Sequence, residues 1–273
     1  MGILRRISEE PPFRLLTYLL VKRFARSIRS VDRWAAVDRP EYLAGVLAAA
    51  DLAVQGNISE ISVIEFGVAG GNGLVALQSY AESVEAETGV RIRVFGFDTG
   101  EGLPELCGDF RDHPDQWRVN DYKMDVETLR SRLTDRTSLV LGKIRDTVPR
   151  FVSEGHPAVG FIACDVDLYS STTDVLRIFS ESGKRTLRRV FMYLDDVDFQ
   201  FNHRYAGELL AIDEFNQKNP LVKIDVWRGV KKNRVFPSQA WLEKMYVVHD
   251  LDAINKSSLA RAPSNDCALG VPI

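Results

Sequence analysis

The chain has 273 residues, 45% of them apolar, and a formal charge of −3. That length can bury one large core, so a single α/β domain with modest additions is expected, and without a concentration of Lys and Arg there is no electrostatic basis for a nucleic-acid partner. A small-molecule substrate is favoured. Cys107, Cys164 and Cys267 are far apart with no C-x-x-C pair, which argues against a disulfide framework or a thiolate zinc site and fits a reducing, cytoplasmic setting. The apolar run at 15–21 is much shorter than the roughly 20 residues needed to cross a bilayer, and no small-residue cleavage site follows it, so neither a transmembrane segment nor an export signal is expected.

Up to about Arg33, leucines alternate with Arg5, Arg6, Arg14, Lys22, Arg23, Arg26 and Arg29, the pattern of a basic amphipathic helix. It can be read as a membrane-surface or partner helix, or as one that packs on its own domain or across a homodimer. A second helix is expected over 40–54. Apolar, β-branched runs then fall at 61–66, 93–97, 138–141, 159–164 and 190–194, with helical stretches near 73–87, 126–133, 171–182 and 206–217. Strands separated by helical crossovers imply a doubly wound, mostly parallel sheet. Two later runs, 222–227 and 244–248, have no long helix between them and are expected to pair antiparallel at one edge. The resulting division is an N-terminal helical segment at 1–56, a ligand-binding α/β domain at 57–254 and an irregular tail at 255–273.

The first strand runs into E-F-G-V-A-G-G-N-G, residues 65–73, with four glycines in seven positions. That is more than a turn requires and allows a ligand to approach the backbone. Gly71-x-Gly73-x-x-Ala76 matches a dinucleotide fingerprint as a bare pattern, which motivates an NAD-linked oxidoreductase as one alternative. Its placement argues against it, because Gly71 lies several residues beyond the strand. Glu65 and Gly67, at the strand end itself, suit the amino-acid part of S-adenosylmethionine instead. Asp98 ends V-F-G-F-D at the carboxyl edge of the sheet, where it is expected to accept hydrogen bonds from both ribose hydroxyls.

These blocks together resemble the class I S-adenosylmethionine-dependent methyltransferases, and most of all the macrocin O-methyltransferase-like group. E-F-G-V-A-G-G, F-D-T-G-E-G-L-P, L-G-K-I-R-D-T-V-P, D-V-D-L-Y-S-S-T and L-D-D occur in that group's order across 61–215. The resemblance implies a Rossmann-like fold with a seven-stranded sheet. It also implies an adenine bordered by the backbone at Ile144 and Arg145, with Asp146 starting the next helix. Gly100 and Val197 depart from the group's Phe and Tyr, and residues 105–120 do not align with it. The departures weaken a sugar acceptor and motivate a further alternative, a cofactor-binding protein that has lost its chemistry.

Asp165 and Asp167 end the fourth strand and Asp195 and Asp196 the fifth, so four carboxylates are expected at one edge. An all-oxygen set suits Mg²⁺, and the resemblance places it on Asp165, Asp195 and Asp196, where it would activate an acceptor hydroxyl. Asp167 could instead bond locally, with Ser170, Ser171 or Thr172 capping the helix that follows. Asp165, which would also face the cofactor, and His203 are the candidates for the proton-accepting base.

Overall fold

The computed structural model of the chain describes residues 10–257. Arg5, Arg6 and most of the expected irregular tail lie outside the described residues. The strands are β1 (Glu60–Phe66), β2 (Arg91–Asp98), β3 (Thr137–Leu141), β4 (Ala158–Cys164), β5 (Thr186–Leu194), β6 (Val222–Val226) and β7 (Met245–Asp250). They form one seven-stranded sheet in the order β3-β2-β1-β4-β5-β7-β6. The first five are parallel, and β7 runs antiparallel between β5 and β6. The doubly wound, mostly parallel sheet expected from the alternation of apolar runs and helical patterns is the one that forms.

Alternation along each strand divides the core into two layers. Ile61 and Val63 of β1 face one cluster with Phe161 and Tyr193, while Ile64 and Phe66 face the other with Phe97, Ile162 and Met192. Helices α3 (Pro40–Gln55) and α4 (Asn72–Thr88) contribute to the first layer; α6 (Ile144–Ser153), α7 (Tyr169–Leu176) and α8 (Gly207–Lys218) contribute to the second. The order of strands reverses direction between β1 and β4, and at such a switch point the two flanking crossovers diverge and leave a crevice at the strands' carboxyl ends.

The basic N-terminal stretch forms two helices, α1 (Phe13–Phe24) and α2 (Ile28–Trp34), separated by three non-helical residues. α1 buries no residue completely: Tyr18 and Val21 pack near Trp34 and Val235, while Phe13, Leu15, Leu16, Leu19, Leu20 and Phe24 are exposed. Among the described residues, no helix is long and apolar enough to cross a membrane. α5 (Val126–Arg132) precedes β3, and α9 (Leu251–Lys256) follows β7.

Candidate functional site

A cleft of about 410 Å³ opens at the carboxyl ends of β1, β2, β4 and β5, and is lined by the glycine loop, Asp98, Ile144, Arg145 and the four acidic residues 165, 167, 195 and 196. The loop after β1 explains its glycines by contact. A Cβ on Gly67, whose φ is +81°, would fall 1.7 Å from the carbonyl oxygen of Asp165, and one on Gly73 would fall 1.9 Å from Glu65 Oε1. Gly71 takes φ +78° as the residue before α4. The spacing that resembles a dinucleotide fingerprint therefore reflects a helix cap at Gly71 and close packing on Glu65 at Gly73.

Glu65 is buried at the end of β1 with 2% of its surface exposed. The Tyr42 hydroxyl donates to its Oε1 at 2.7 Å, whereas its buried Oε2 has no hydrogen-bond partner among the described residues. Burial pushes its pKa up to about 8, although the Tyr42 hydrogen bond and the Arg39 charge act in the opposite direction. Arg39 lies over the Tyr42 ring, 5.1 Å from its centroid, and lines the same cleft. Arg39 and Tyr42 were not among the expected site residues. The helix-starting Pro40 signals α3, but nothing local indicates that α3 docks its first turn against the glycine loop.

Asp98 does more local work than expected. Its Oδ2 accepts from the backbone N–H groups of Val68 and Ala69 at 2.8 and 3.0 Å, and its Oδ1 from Gly100 N–H at 2.7 Å. It thus ties the glycine loop to the end of β2 while lining the cleft. Ile144 and Arg145 open α6 two residues earlier than a start at Asp146 would have placed it.

Asp165 follows β4, and its side chain is pushed up to a pKa of about 6, by burial first and by the charge of Asp195 second. Asp167, at φ +62°, is raised to about 7 by burial and then by Asp165. Ser170, Ser171 and Thr172 do not cap α7, since they lie inside it and Leu168 precedes it without a side-chain cap. That role falls to Asp112, fully buried, whose Oδ1 accepts from Ser170 N–H at 2.8 Å and whose Oδ2 accepts from Ser170 Oγ at 2.9 Å. Residues 105–120 are therefore fastened to the start of α7, and Trp117 from the same segment lines the cleft.

The expected Mg²⁺ set does not assemble. Among the described residues, no group of three or more His, Cys, Asp or Glu side chains is arranged to hold a metal ion. Asp195 Oδ1 is taken by the Tyr193 hydroxyl and by Lys244 Nζ, the latter at 3.3 Å. Asp196 is turned inward: its Oδ2 accepts from Asp167 N–H at 3.0 Å, and burial followed by the Asp167 charge raises its pKa well above the carboxylate range. One oxygen each of Asp195 and Asp196 is thus held by partners other than a shared ion. His203 is exposed, packs against the His113 ring at 5.0 Å and does not line the cleft, so the structure does not bring this candidate base to the site.

No family model matches the sequence, and no curated protein does. Several solved structures are similar to the chain. The calicheamicin methyltransferase CalS11 is 20% identical, with 81% of this chain and 90% of that one covered, at a TM-score of 0.49. The O-methyltransferase NovP is 17% identical, covering 75% and 90%, at 0.49. The O-methyltransferase from Bacillus cereus, solved with SAH, is 15% identical, covering 89% and 94%, at 0.41.

Proposed function

We propose that the chain transfers a methyl group from S-adenosylmethionine to a hydroxyl of a small molecule. The observation that carries this reading is Glu65 Oε2, a buried carboxyl oxygen without a hydrogen-bond partner among the described residues, at the mouth of the glycine loop. A buried polar atom left unpaired costs about 1–3 kcal/mol, and the ammonium of an amino acid supplies the missing partner as the carboxyl ionises. Arg39, close by, suits the carboxylate of the same amino-acid group. Asp98 retains acceptor capacity toward ribose hydroxyls, since a carboxylate offers about four lone-pair sites and three N–H groups use it. The backbone at Ile144 and Arg145 borders the far end of the cleft, where the adenine fits.

Glu65, Arg39, Asp98 and the backbone at Ile144 and Arg145 would hold the cofactor, which would supply an activated methyl group for displacement by the acceptor oxygen, the sulfur keeping the electron pair of the broken bond. The chain positions the two reactants in line and accepts one proton. Asp165 is the base in this reading: a carboxyl with a pKa of about 6 is mostly ionised at neutral pH, yet basic enough to take a hydroxyl proton. Its side chain lines the cleft, and Trp117 and Tyr122 form part of the remaining wall. No step is assigned to a metal, because the residues present do not fit one. Asp165→Asn tests the assignment: methyl transfer to a panel of hydroxyl-bearing acceptors should fall about a hundredfold or more while S-adenosylhomocysteine still binds. An unchanged rate would remove Asp165 from the chemistry.

A further inference from the structure

Four carboxylates on one cleft need compensation, because like charges brought together out of water oppose one another's ionisation. The chain supplies a cation from an element remote in sequence. Lys244 immediately precedes β7, and β7 pairs antiparallel with β5 so that Met245 lies opposite Tyr193. This topology brings Lys244 to the carboxyl end of β5, beside Asp195. Its Nζ donates to the Asp195 carbonyl oxygen at 2.7 Å and to Asp195 Oδ1 at 3.3 Å, and it pairs with Asp198 Oδ1 at 2.8 Å. An ammonium has three N–H donors, and three acceptors surround this one. The side chain is only 17% exposed.

A divalent ion at this place would need Asp195 oxygens at about 2.0–2.1 Å for Mg²⁺ and near-octahedral company around it. Lys244 and the Tyr193 hydroxyl already hold Asp195 Oδ1, and Asp196 Oδ2 faces the Asp167 backbone. Arg39, the other cation acting on Asp165, sits at the opposite end over Tyr42.

We propose that Lys244, which does not itself line the cleft, is the fixed counter-charge of the cleft's Asp195, holding on it the place that a divalent ion would need, so that the methyl transfer proposed above, on which this inference rests, runs without a metal. Removing the ammonium leaves Asp195 and Asp198 without their counter-charge. The carboxylates freed in this way should then accept a divalent ion from solution. Lys244 acts through Asp195 and is a positioning residue.

The test is a titration of the full chain with Mn²⁺, followed by electron paramagnetic resonance of the free ion and by calorimetry, with and without S-adenosylhomocysteine. The wild type should bind no stoichiometric Mn²⁺, and its S-adenosylhomocysteine affinity should be the same in chelator. Lys244→Met, shown to be folded by circular dichroism, should gain a Mn²⁺ site at least tenfold tighter than anything in the wild type, and Lys244→Arg should behave as the wild type does. If Lys244→Met does not fold, Lys244→Gln keeps a donor for the Asp195 carbonyl without the charge and should show the same gain. One Mn²⁺ per wild-type chain overturns the proposal, as does a folded, uncharged variant that gains no site. Failure of S-adenosylhomocysteine to bind in every sample overturns the methyl-transfer reading instead, and the Mn²⁺ results are read separately from it.

Discussion

Glu65 should release a proton when the methyl donor or its product binds. In the ligand-free protein burial holds its pKa at about 8 against an ordinary 4.5, a difference of about 5 kcal/mol against the charged form. At pH 7 a group with that pKa is about 90% protonated. An ammonium arriving at Oε2 favours the carboxylate, so binding should expel about 0.9 proton, at a cost of about 1.4 kcal/mol for ionising Glu65. A charge-assisted hydrogen bond contributes about 1.5–3 kcal/mol. The difference leaves Glu65→Gln weaker than the wild type by no more than about tenfold at pH 7. Calorimetry of S-adenosylhomocysteine binding in buffers of different ionisation enthalpy reads the proton count directly. The count should fall towards zero in Glu65→Gln. A wild-type binding heat that does not depend on the buffer would refute the reasoning, because Glu65 would then be charged already or untouched by the ligand.

Other outcomes follow from the same contacts. Burial raises the carboxyls of Glu41, Glu65, Asp165 and Asp167 to about 7, 8, 6 and 7; with folded values above the unfolded ones, the stability linked to them is full below about pH 4 and is lost as pH rises through 6 to 8. The melting temperature should accordingly fall between pH 5 and pH 9, and Glu65→Gln should flatten that fall. Gly67→Ala places a methyl against the Asp165 carbonyl at a positive φ, so it should lower stability by about 1–3 kcal/mol and abolish cofactor binding, as read by chemical denaturation and calorimetry. Asp112→Ala removes the cap of α7 from a fully buried position and should lower stability by about 2–4 kcal/mol; an unchanged denaturation midpoint would show that residues 105–120 are not fastened there. His203→Ala, at an exposed position outside the cleft, should leave methyl transfer within about twofold of the wild type, in keeping with surface substitutions.

Much of the fold was legible because its signals are local. Apolar runs at 61–66 and 159–164 recur as β1 and β4 within a residue at either end, since a strand buried on both faces is apolar along nearly its whole length, with Ser62 and Glu65 the polar residues of the first run. The late pair 222–227 and 244–248 forms β6 and β7, antiparallel as expected from the absence of a crossover helix. Their insertion beside β5, with β6 at the edge, is a tertiary choice that no local pattern carries. The N-terminal helix breaks at Ala25–Ser27, where Ala25 and Ser27 take extended backbone, although the leucine and arginine pattern runs on across the break.

The site divides in the same way. Positions at strand ends, such as Glu65, Asp98 and Asp165, were legible because the sheet's carboxyl edge is where ligands bind. Their partners were not. Tyr42 reaches Glu65 across 23 residues, Asp112 reaches Ser170 across 58 and Lys244 reaches Asp195 across 49, and these long-range contacts set which carboxylates are free. The expectation of Mg²⁺ treated Asp165, Asp195 and Asp196 as available oxygens. Lys244, Tyr193 and the Asp167 N–H had already claimed Asp195 and Asp196.

A calorimetric titration of the wild-type chain with S-adenosylhomocysteine, repeated on Asp98→Ala and with NAD as the control ligand, decides most directly whether the cleft is a methyl-donor site. Micromolar binding of S-adenosylhomocysteine, lost when Asp98 no longer ties down the Val68 and Ala69 N–H groups and absent for NAD, is the predicted result. Binding of NAD instead, or of neither ligand, would contradict the assignment of the glycine loop and of Glu65.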